Sequence, residues 1–292
     1  MKKRVKKILS IIIVLVLILY MVYKIDTVNR TKAKIVDMTT TLMDSISSQD
    51  YEKIKIYLKH TDGTELTDEE ISNFLLNTGL YRATLVEDET FLYDTNTSFW
   101  NTHKGKILFS FTALNGENIS NTLEYVRDGI DEYLIADKIQ EPTKETEKYP
   151  IALDLADGSN IEYGDESLAD EDTEKIKIYS FVQDENGEVS VEFIKEAKED
   201  IEKYLEIQMY ENIDTLKHLN ENYTMEWDNE YKEVSIYYED GVKDKMGIKE
   251  VRLRTCLHSL LKQGINGNSD WKLTIYYYDY NTRELLSTEV IR

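Results

Sequence analysis

The feature that most constrains this chain is an apolar run near its N-terminus, Ile8–Tyr23, with the sequence ILSIIIVLVLILYMVY. The run contains one polar residue, Ser10, and no charge. As a helix it would span roughly 24 Å, and the flanking Val5 and Ile25 bring it closer to the ~30 Å of a bilayer core. We therefore predict a transmembrane anchor over residues 8–25, preceded by a short tail over residues 1–7.

The flanks of this run predict its orientation. The tail is basic and contains no acid, whereas the bases that follow the run are diluted by Asp26 and Asp37. Because basic flanks stay in the cytoplasm, we expect a single-pass protein of the cell membrane, with a cytoplasmic N-terminus and extracellular C-terminal domains. A cleaved signal peptide is the alternative, but residues 20–26 lack the small side chains of a cleavage site. No cysteine lies directly after the run to serve as a lipoprotein anchor.

Charge and cysteine content limit the classes of partner and of covalent link that the chain can have. The formal net charge is −21, and beyond residue 24 the chain holds 29 bases against 56 acids. So acidic a chain repels phosphate backbones, which argues against nucleic acid as a partner. The single cysteine, Cys256, excludes a disulfide within the chain. Apolar residues make up 41% of the sequence, enough to form real cores.

Residues 26–139 are predicted to form three helices and then an antiparallel meander. Ile35, Met38, Leu42 and Ile46 have helical spacing, a short helix is expected near Asp50–Leu58, and a third begins at Thr67 with a capping box and ends at Gly79. A period of two then predicts strands. The strands are expected at Tyr81–Glu87, Phe91–Tyr93, Lys106–Leu114, Ile119–Arg127 and Glu132–Ile139, with turns at Asn115-Gly116 and Asp128-Gly129.

This element order resembles the NTF2-like (cystatin-like) α+β cone. The stretch Ser48–Leu58, SQDYEKIKIYL, is similar to the segment between the first two helices of membrane-anchored NTF2-like domains in Gram-positive bacteria. The resemblance covers residues 28–139 and implies a three-helix cone for the 26–139 domain. It implies little about activity, since one fold can host enzymes, binding modules and scaffolds.

A second α+β domain is predicted over residues 151–292, after a polar linker at 140–150 that is bracketed by Pro142 and Pro150. Its expected order is ββαββαββ. The helices are predicted at Glu196–Asn220 and Ile248–Gln263, the second with Gly264 as its C-terminal stop, and the hairpins at 175–194, 223–238 and 271–291.

Residues with catalytic or metal-binding potential are few. Cys256 and His258 lie two apart on a predicted helix and therefore point to different sides, which argues against a nucleophile–base pair. His60, His103 and His218 do not have a paired ligand spacing, and no phosphate loop or serine-hydrolase motif occurs. We therefore predict no catalytic residue, no metal site and no cofactor.

Two features could bind a partner. The acidic stretch that begins at Asp154, Asp157, Ser159, Asn160 and Glu162 offers oxygen ligands for calcium, but it misses the EF-hand spacing, so a solvated loop is the simpler interpretation. The chain also has 21 tyrosines. Tyr276-Tyr277-Tyr278 and Tyr237-Tyr238 fall on predicted strands, so alternate rings should point outward, where they could form an interface or simply be half-buried.

Together these features predict a membrane-anchored, extracytoplasmic, non-catalytic binding or scaffold protein of the bacterial cell envelope. Its partners would be the lipid bilayer, through the N-terminal helix, and an envelope protein or the cell wall. The alternatives are an envelope enzyme with a dispersed carboxylate site and a signal-relay protein, although the seven-residue tail is too short for an output domain.

Overall fold

The chain begins with one long helix, α1 (Lys2–Ser47), in a computed structural model that describes residues 2–86, 92–142, 144–151, 178–183, 189–242, 246–268 and 272–291. Its sequence contains neither Gly nor Pro, so nothing interrupts the helical hydrogen bonds. Side chains from Ile12 to Tyr23 are exposed, whereas Ile35, Leu42 and Ile46 are fully buried. The helix predicted from the spacing of Ile35, Met38, Leu42 and Ile46 is confirmed, as the second half of α1.

Two compact units make up the chain, Met1–Pro142 and Thr143–Arg292. In the first unit α1 is followed by further helices and a five-stranded sheet of order β1-β5-β4-β3-β2. All its pairs are antiparallel except β1 with β5. The elements are α2 (Tyr51–Tyr57), β1 (Leu58–Lys59), α3 (Asp68–Thr78), a 3₁₀ helix (Leu80–Leu85), β2 (Leu92–Thr97), β3 (Lys104–Thr112), β4 (Asn118–Asp128) and β5 (Asp131–Ile135).

Local signals fix the start and the end of α3. The Thr67 hydroxyl accepts a hydrogen bond from the Glu70 backbone, and the Glu70 carboxylate accepts one from the Thr67 backbone. Gly79 then ends the helix with φ of 73°, a left-handed conformation that favours glycine. The predicted capping box and glycine stop are therefore confirmed.

The strand predicted at Tyr81–Glu87 is wrong. Leu80–Leu85 forms a 3₁₀ helix in which five of the six side chains are buried. The alternation of apolar and polar residues suggested a strand, but the left-handed turn at Gly79 sends the chain back against the core. Arg82 is buried there and its guanidinium donates to the Glu117 carboxylate at 2.5 Å.

The inner face of this sheet is filled with apolar side chains, among them Ile107, Phe109 and Phe111. α1 and α3 lie against it. A Cβ built on Gly105 of β3 would lie 2.9 Å from Cδ1 of Ile35, and the Asn121 side chain donates to the carbonyl of Thr78 at 2.9 Å. The first unit is thus a sheet with helices on one face.

The described residues of the second unit form two largely antiparallel sheets and two α-helices. The three-stranded sheet has the order β6-β8-β7 and the four-stranded sheet the order β12-β11-β10-β9. The elements are β6 (Thr146–Ile151), β7 (Tyr179–Gln183), β8 (Val189–Ile194), a 3₁₀ helix (Lys195–Ala197), α4 (Lys198–Leu219), β9 (Thr224–Trp227), β10 (Glu233–Tyr238), α5 (Met246–Ile265), β11 (Leu273–Asp279) and β12 (Leu285–Ile291).

The structure corrects two boundaries in this unit. The second half of the segment predicted as a linker, 140–150, belongs to β6, an edge strand that pairs with β8. Its polar sequence concealed one packed residue, Tyr149, whose ring stacks on Phe193. Helix α5 runs on past Gly264 to Ile265, and Gly267 takes the left-handed conformation instead. The strand β6 therefore precedes the predicted ββαββαββ order.

We expect Gly105→Ala to destabilise the first unit by about 1–3 kcal/mol, because the new methyl group would overlap Ile35 of α1. Ile35→Val removes the overlapping Cδ1 atom. The double variant should therefore lose less stability than the two single changes together, as measured by urea unfolding of the full chain in detergent micelles. Strict additivity of the two changes would contradict this packing of α1.

Candidate functional site

The outer face of the four-stranded sheet carries a cluster that we call the tyrosine face: Tyr237, Tyr276, Tyr278 and Arg283. The buried side chains of the same strands, Tyr238 and Tyr277, point the other way. The outward alternation predicted for these tyrosines is confirmed. Each ring of the tyrosine face is half-buried, so it is supported by its neighbours and still partly open to solvent.

Strand register brings the rings of this face together. β10 and β11 are parallel, which places Tyr237 directly beside Tyr278. Their rings stack with centroids 5.2 Å apart and planes 20° apart, and Tyr276 lies 6.4 Å from Tyr278 along β11. The guanidinium of Arg283 lies 4.4 Å from the centre of the Tyr237 ring, a cation–π contact.

The turn between β11 and β12 holds Arg283 in place. The Asp279 carboxylate accepts hydrogen bonds from the backbone of Asn281 at 3.0 Å and of Thr282 at 2.8 Å. These bonds, led by the one from Thr282, lower the pKa of Asp279. Arg283 itself has φ of 60°, which is uncommon for a residue with a side chain. With this backbone conformation the guanidinium lies over the Tyr237 ring.

A carboxylate fixes the far end of the Tyr237 ring. The Tyr237 hydroxyl donates to Glu226 of β9 at 3.2 Å. Burial first, and the charge of Glu226 second, raise the pKa of Tyr237. The hydroxyl therefore stays protonated and acts as a donor at neutral pH.

A second network lies beneath the tyrosine face and joins α5 to β12. Arg252 of α5 makes a two-pronged ion pair with Glu289 of β12, with Nε to Oε2 at 2.9 Å, and Tyr277 donates to the same carboxylate at 2.8 Å. Cys256 lies one turn along α5 from Arg252 and is buried in the adjoining core. Burial raises the pKa of its thiol to about 12, so the thiol is unreactive in the folded protein.

The histidines singled out from the sequence do not come together. His258 is buried on α5 and shares a side with Arg254, whereas Cys256 shares the other side with Arg252. His60 pairs with Glu70 at 3.3 Å in the first unit, and His103 and His218 are exposed. Among the described residues no three His, Cys, Asp or Glu side chains lie close enough to hold a metal ion. The acidic stretch from Asp154 to Glu162 lies outside the described residues.

Sequence reasoning found the tyrosines of this face but missed Arg283 and the stacking. No local signal marks an arginine for a left-handed backbone. The stacking depends on the parallel pairing of β10 with β11, whereas the sequence predicted only hairpins. The Arg252–Glu289 pair was also missed because its partners lie 37 residues apart.

No family model, curated protein or solved structure matches the chain. Length and composition make α1 a candidate membrane span. Its most apolar window has a mean hydropathy of 1.9, and none of that window is buried.

The Arg252–Glu289 pair should control access to the only thiol. Arg252→Met leaves a part-buried carboxylate without its cation, and we expect a loss of roughly 1.5 kcal/mol. Labelling of Cys256 by a thiol reagent in non-denaturing buffer should then accelerate about tenfold. Arg254→Met is the matched control, because the ion pair that Arg254 makes with Glu250 of the same helix is exposed. Equal labelling rates in both variants would contradict a supporting role for Arg252.

His258 should make the second unit sensitive to acid. Burial first, and nearby Arg254 second, lower its pKa from 6.5 to about 4, and its Nδ1 has no hydrogen-bond partner among the described residues. Protonation therefore favours the unfolded chain, and stability should fall as pH drops from about 6.5 to about 4. His258→Gln should remove about 2 kcal/mol of the difference in unfolding free energy between pH 7 and pH 5.

Urea unfolding at the two pH values, followed by tryptophan fluorescence, measures this effect. His218→Gln is the control, since His218 is exposed on α4 of the same unit. An unchanged pH dependence in His258→Gln would show that His258 is not the group that titrates.

Proposed function

We propose that the chain is a membrane-anchored, extracytoplasmic binding protein of the bacterial cell envelope, and that its tyrosine face binds a protein partner. The observation that carries this proposal is the cluster of three half-buried tyrosines capped by Arg283 on an outer sheet face. Tyrosine and arginine are enriched among the residues that dominate protein–protein binding energy.

The ring geometry favours a protein over a sugar. Stacking on a sugar requires an open aromatic face. Here Tyr237 has Tyr278 stacked against it and is also covered by Arg283. The ring edges and hydroxyls of this face suit the mixed apolar and hydrogen-bonding contacts of a protein interface. The excess of acids beyond residue 24 favours a partner with a basic surface.

We infer that α1 is an uncleaved anchor with its N-terminus in the cytoplasm. The exposed apolar half of the helix and the basic tail before it support this orientation. The same helix then enters the core of the first unit. A single helix that is both anchor and core element supports retention of the N-terminal segment.

We also propose that the first unit is an NTF2-like cone. Its helices followed by a largely antiparallel meander, with α1 and α3 on one sheet face, support this assignment. A cone that served an enzyme would need space inside it for a substrate. Phe74, Phe109 and Phe111 are instead buried and His103 is exposed in a turn, which favours the binding role over a dispersed catalytic site.

Photo-cross-linking in intact cells tests the proposal. A photo-reactive amino acid at Thr288, exposed on β12 beside Tyr276, should form a discrete adduct with an envelope protein. Tyr278→Ala should weaken binding by about 2 kcal/mol, or roughly 30-fold in Kd, and abolish the adduct.

Two controls make the result specific. The same reagent at Asp214, whose side chain is 72% exposed on α4, should not form the adduct. Tyr210→Ala removes a tyrosine that is 54% exposed on α4 and should leave the adduct intact. An adduct that survives Tyr278→Ala, or that forms equally from Asp214, would refute the tyrosine face as the binding surface.

A further inference from the structure

Two connections of the first sheet carry strongly exposed apolar side chains. Trp100, in the connection between β2 and β3, is 75% exposed, and Ile130, in the turn between β4 and β5, is 96% exposed. The two connections are neighbours, because the Arg127 backbone donates to the carbonyl of His103 at 2.8 Å. We call this end of the sheet, which includes Trp100, His103, Arg127 and Ile130, the anchor rim. Exposed apolar side chains that share one end of a sheet can mark a site of membrane interaction.

The anchor rim lies where α1 enters the first unit. Lys34 of α1 is paired with Glu132, two residues after Ile130. Ile35 of α1 lies against Gly105, just after the connection that contains Trp100. Glu132 also pairs with Arg127 at 3.4 Å, so the β4–β5 hairpin is tied to the helix at this end.

Contacts at the opposite end of the sheet show in which direction α1 runs. The 3₁₀ helix at Leu80–Leu85 packs against α1, and its Arg82 pairs with Glu117 in the β3–β4 connection. Lys34 and Ile35 are already at the anchor rim, so the contact with the 3₁₀ helix must come from later residues of α1. The residues before Thr31 therefore leave the unit at the anchor rim, and they lead directly to the exposed apolar segment Ile12–Tyr23.

Distances along the chain are consistent with the anchor rim and the membrane interface lying at the same depth. Along the helix axis, Tyr23 lies about 16 Å from Lys34 in the direction of the membrane. Ile130, in the turn that precedes β5, lies at most about 7 Å beyond Glu132 toward the membrane. The headgroup layer adds roughly 5–8 Å outside the hydrocarbon core, and the length of the isoleucine side chain covers the rest. Trp100 projects from the longer neighbouring connection.

The charge around the anchor rim differs from that of the chain as a whole. Basic side chains outnumber acidic ones here, although acids dominate beyond residue 24. The bases are Lys24, Arg30, Lys32, Lys34, Lys104 and Arg127, and the acids are Asp26, Asp128, Asp131 and Glu132. This local balance allows close approach to phosphate headgroups that would repel the rest of the chain.

We propose that Trp100 and Ile130 insert into the headgroup region of the bilayer that α1 crosses, and so form a second attachment of the first unit to the membrane. Tryptophan prefers this interface, and an exposed isoleucine gains by leaving water there. The inference rests on the proposed membrane anchoring by α1. The second attachment would bring the anchor rim of the first unit into contact with the lipid surface.

The test uses the full chain in nanodiscs of equal parts phosphatidylcholine and phosphatidylglycerol, in a Cys256→Ala background. A fluorescent thiol label is placed at Ile130→Cys, and lipids with a nitroxide near the headgroup serve as quencher. The control label is Asn118→Cys, which is exposed at the end of β4 farther from Ile130. We expect quenching at position 130 to exceed that at 118 by roughly threefold or more.

Two further labels separate the possible failures. Trp100→Cys should be quenched like Ile130→Cys, which gives an independent reading from the other connection. A label at Leu15→Cys, quenched by a nitroxide deep in the acyl chains, reports whether α1 lies in the bilayer. Quenching at 15 with none at 100 or 130 overturns the second attachment alone. Absence of quenching at 15 overturns it together with the proposed anchoring.

Discussion

The packing of α1 into the first unit is the constraint on which the rest of that unit depends. Ile35, Leu42 and Ile46 are fully buried, and each such side chain contributes about 1.5–3 kcal/mol relative to exposure. The same helix carries the exposed apolar segment Ile12–Tyr23, with no Gly or Pro between the two halves. The core therefore fixes the direction in which the apolar half leaves the unit, and an anchor on a flexible linker would lack this property.

Elements with local signals could be predicted from the sequence, and elements that depend on distant contacts could not. The capping box at Thr67 and the left-handed Gly79 are local, and the structure contains both. The 3₁₀ helix at Leu80–Leu85 depends on burial against the core, and its apolar spacing resembled a strand. Strand β6 depends on pairing with β8, which lies far along the chain beyond the acidic segment. Its own sequence is polar and therefore resembled a linker.

The candidate site also combines features that local sequence predicts with features that depend on distant contacts. Alternation along β11 was enough to predict that Tyr276 and Tyr278 face opposite to Tyr277. The stack of Tyr237 on Tyr278 requires β10 and β11 to be parallel, and α5 makes the connection between them. A crossover of this kind is not encoded in the period of either strand. The composition of the face could be predicted, therefore, but its geometry could not.

The outer faces of the five-stranded and the four-stranded sheets offer an internal comparison. In the first unit, β2, β3 and β4 present Asn96, Lys106 and Glu124 side by side, with an ion pair of 2.8 Å between the last two. That arrangement is what a solvated face needs. The tyrosine face instead presents stacked rings.

The surroundings of the tyrosine face hold it in place. Arg283 covers Tyr237, and the Arg252–Glu289 pair supports the sheet from beneath through Tyr277. In the proposed binding role, side chains held in this way would lose little conformational freedom, and pre-organisation of that kind increases affinity without additional contacts. Solvation alone would not require a strained arginine to complete the stack, whereas a binding surface benefits from each of these contacts.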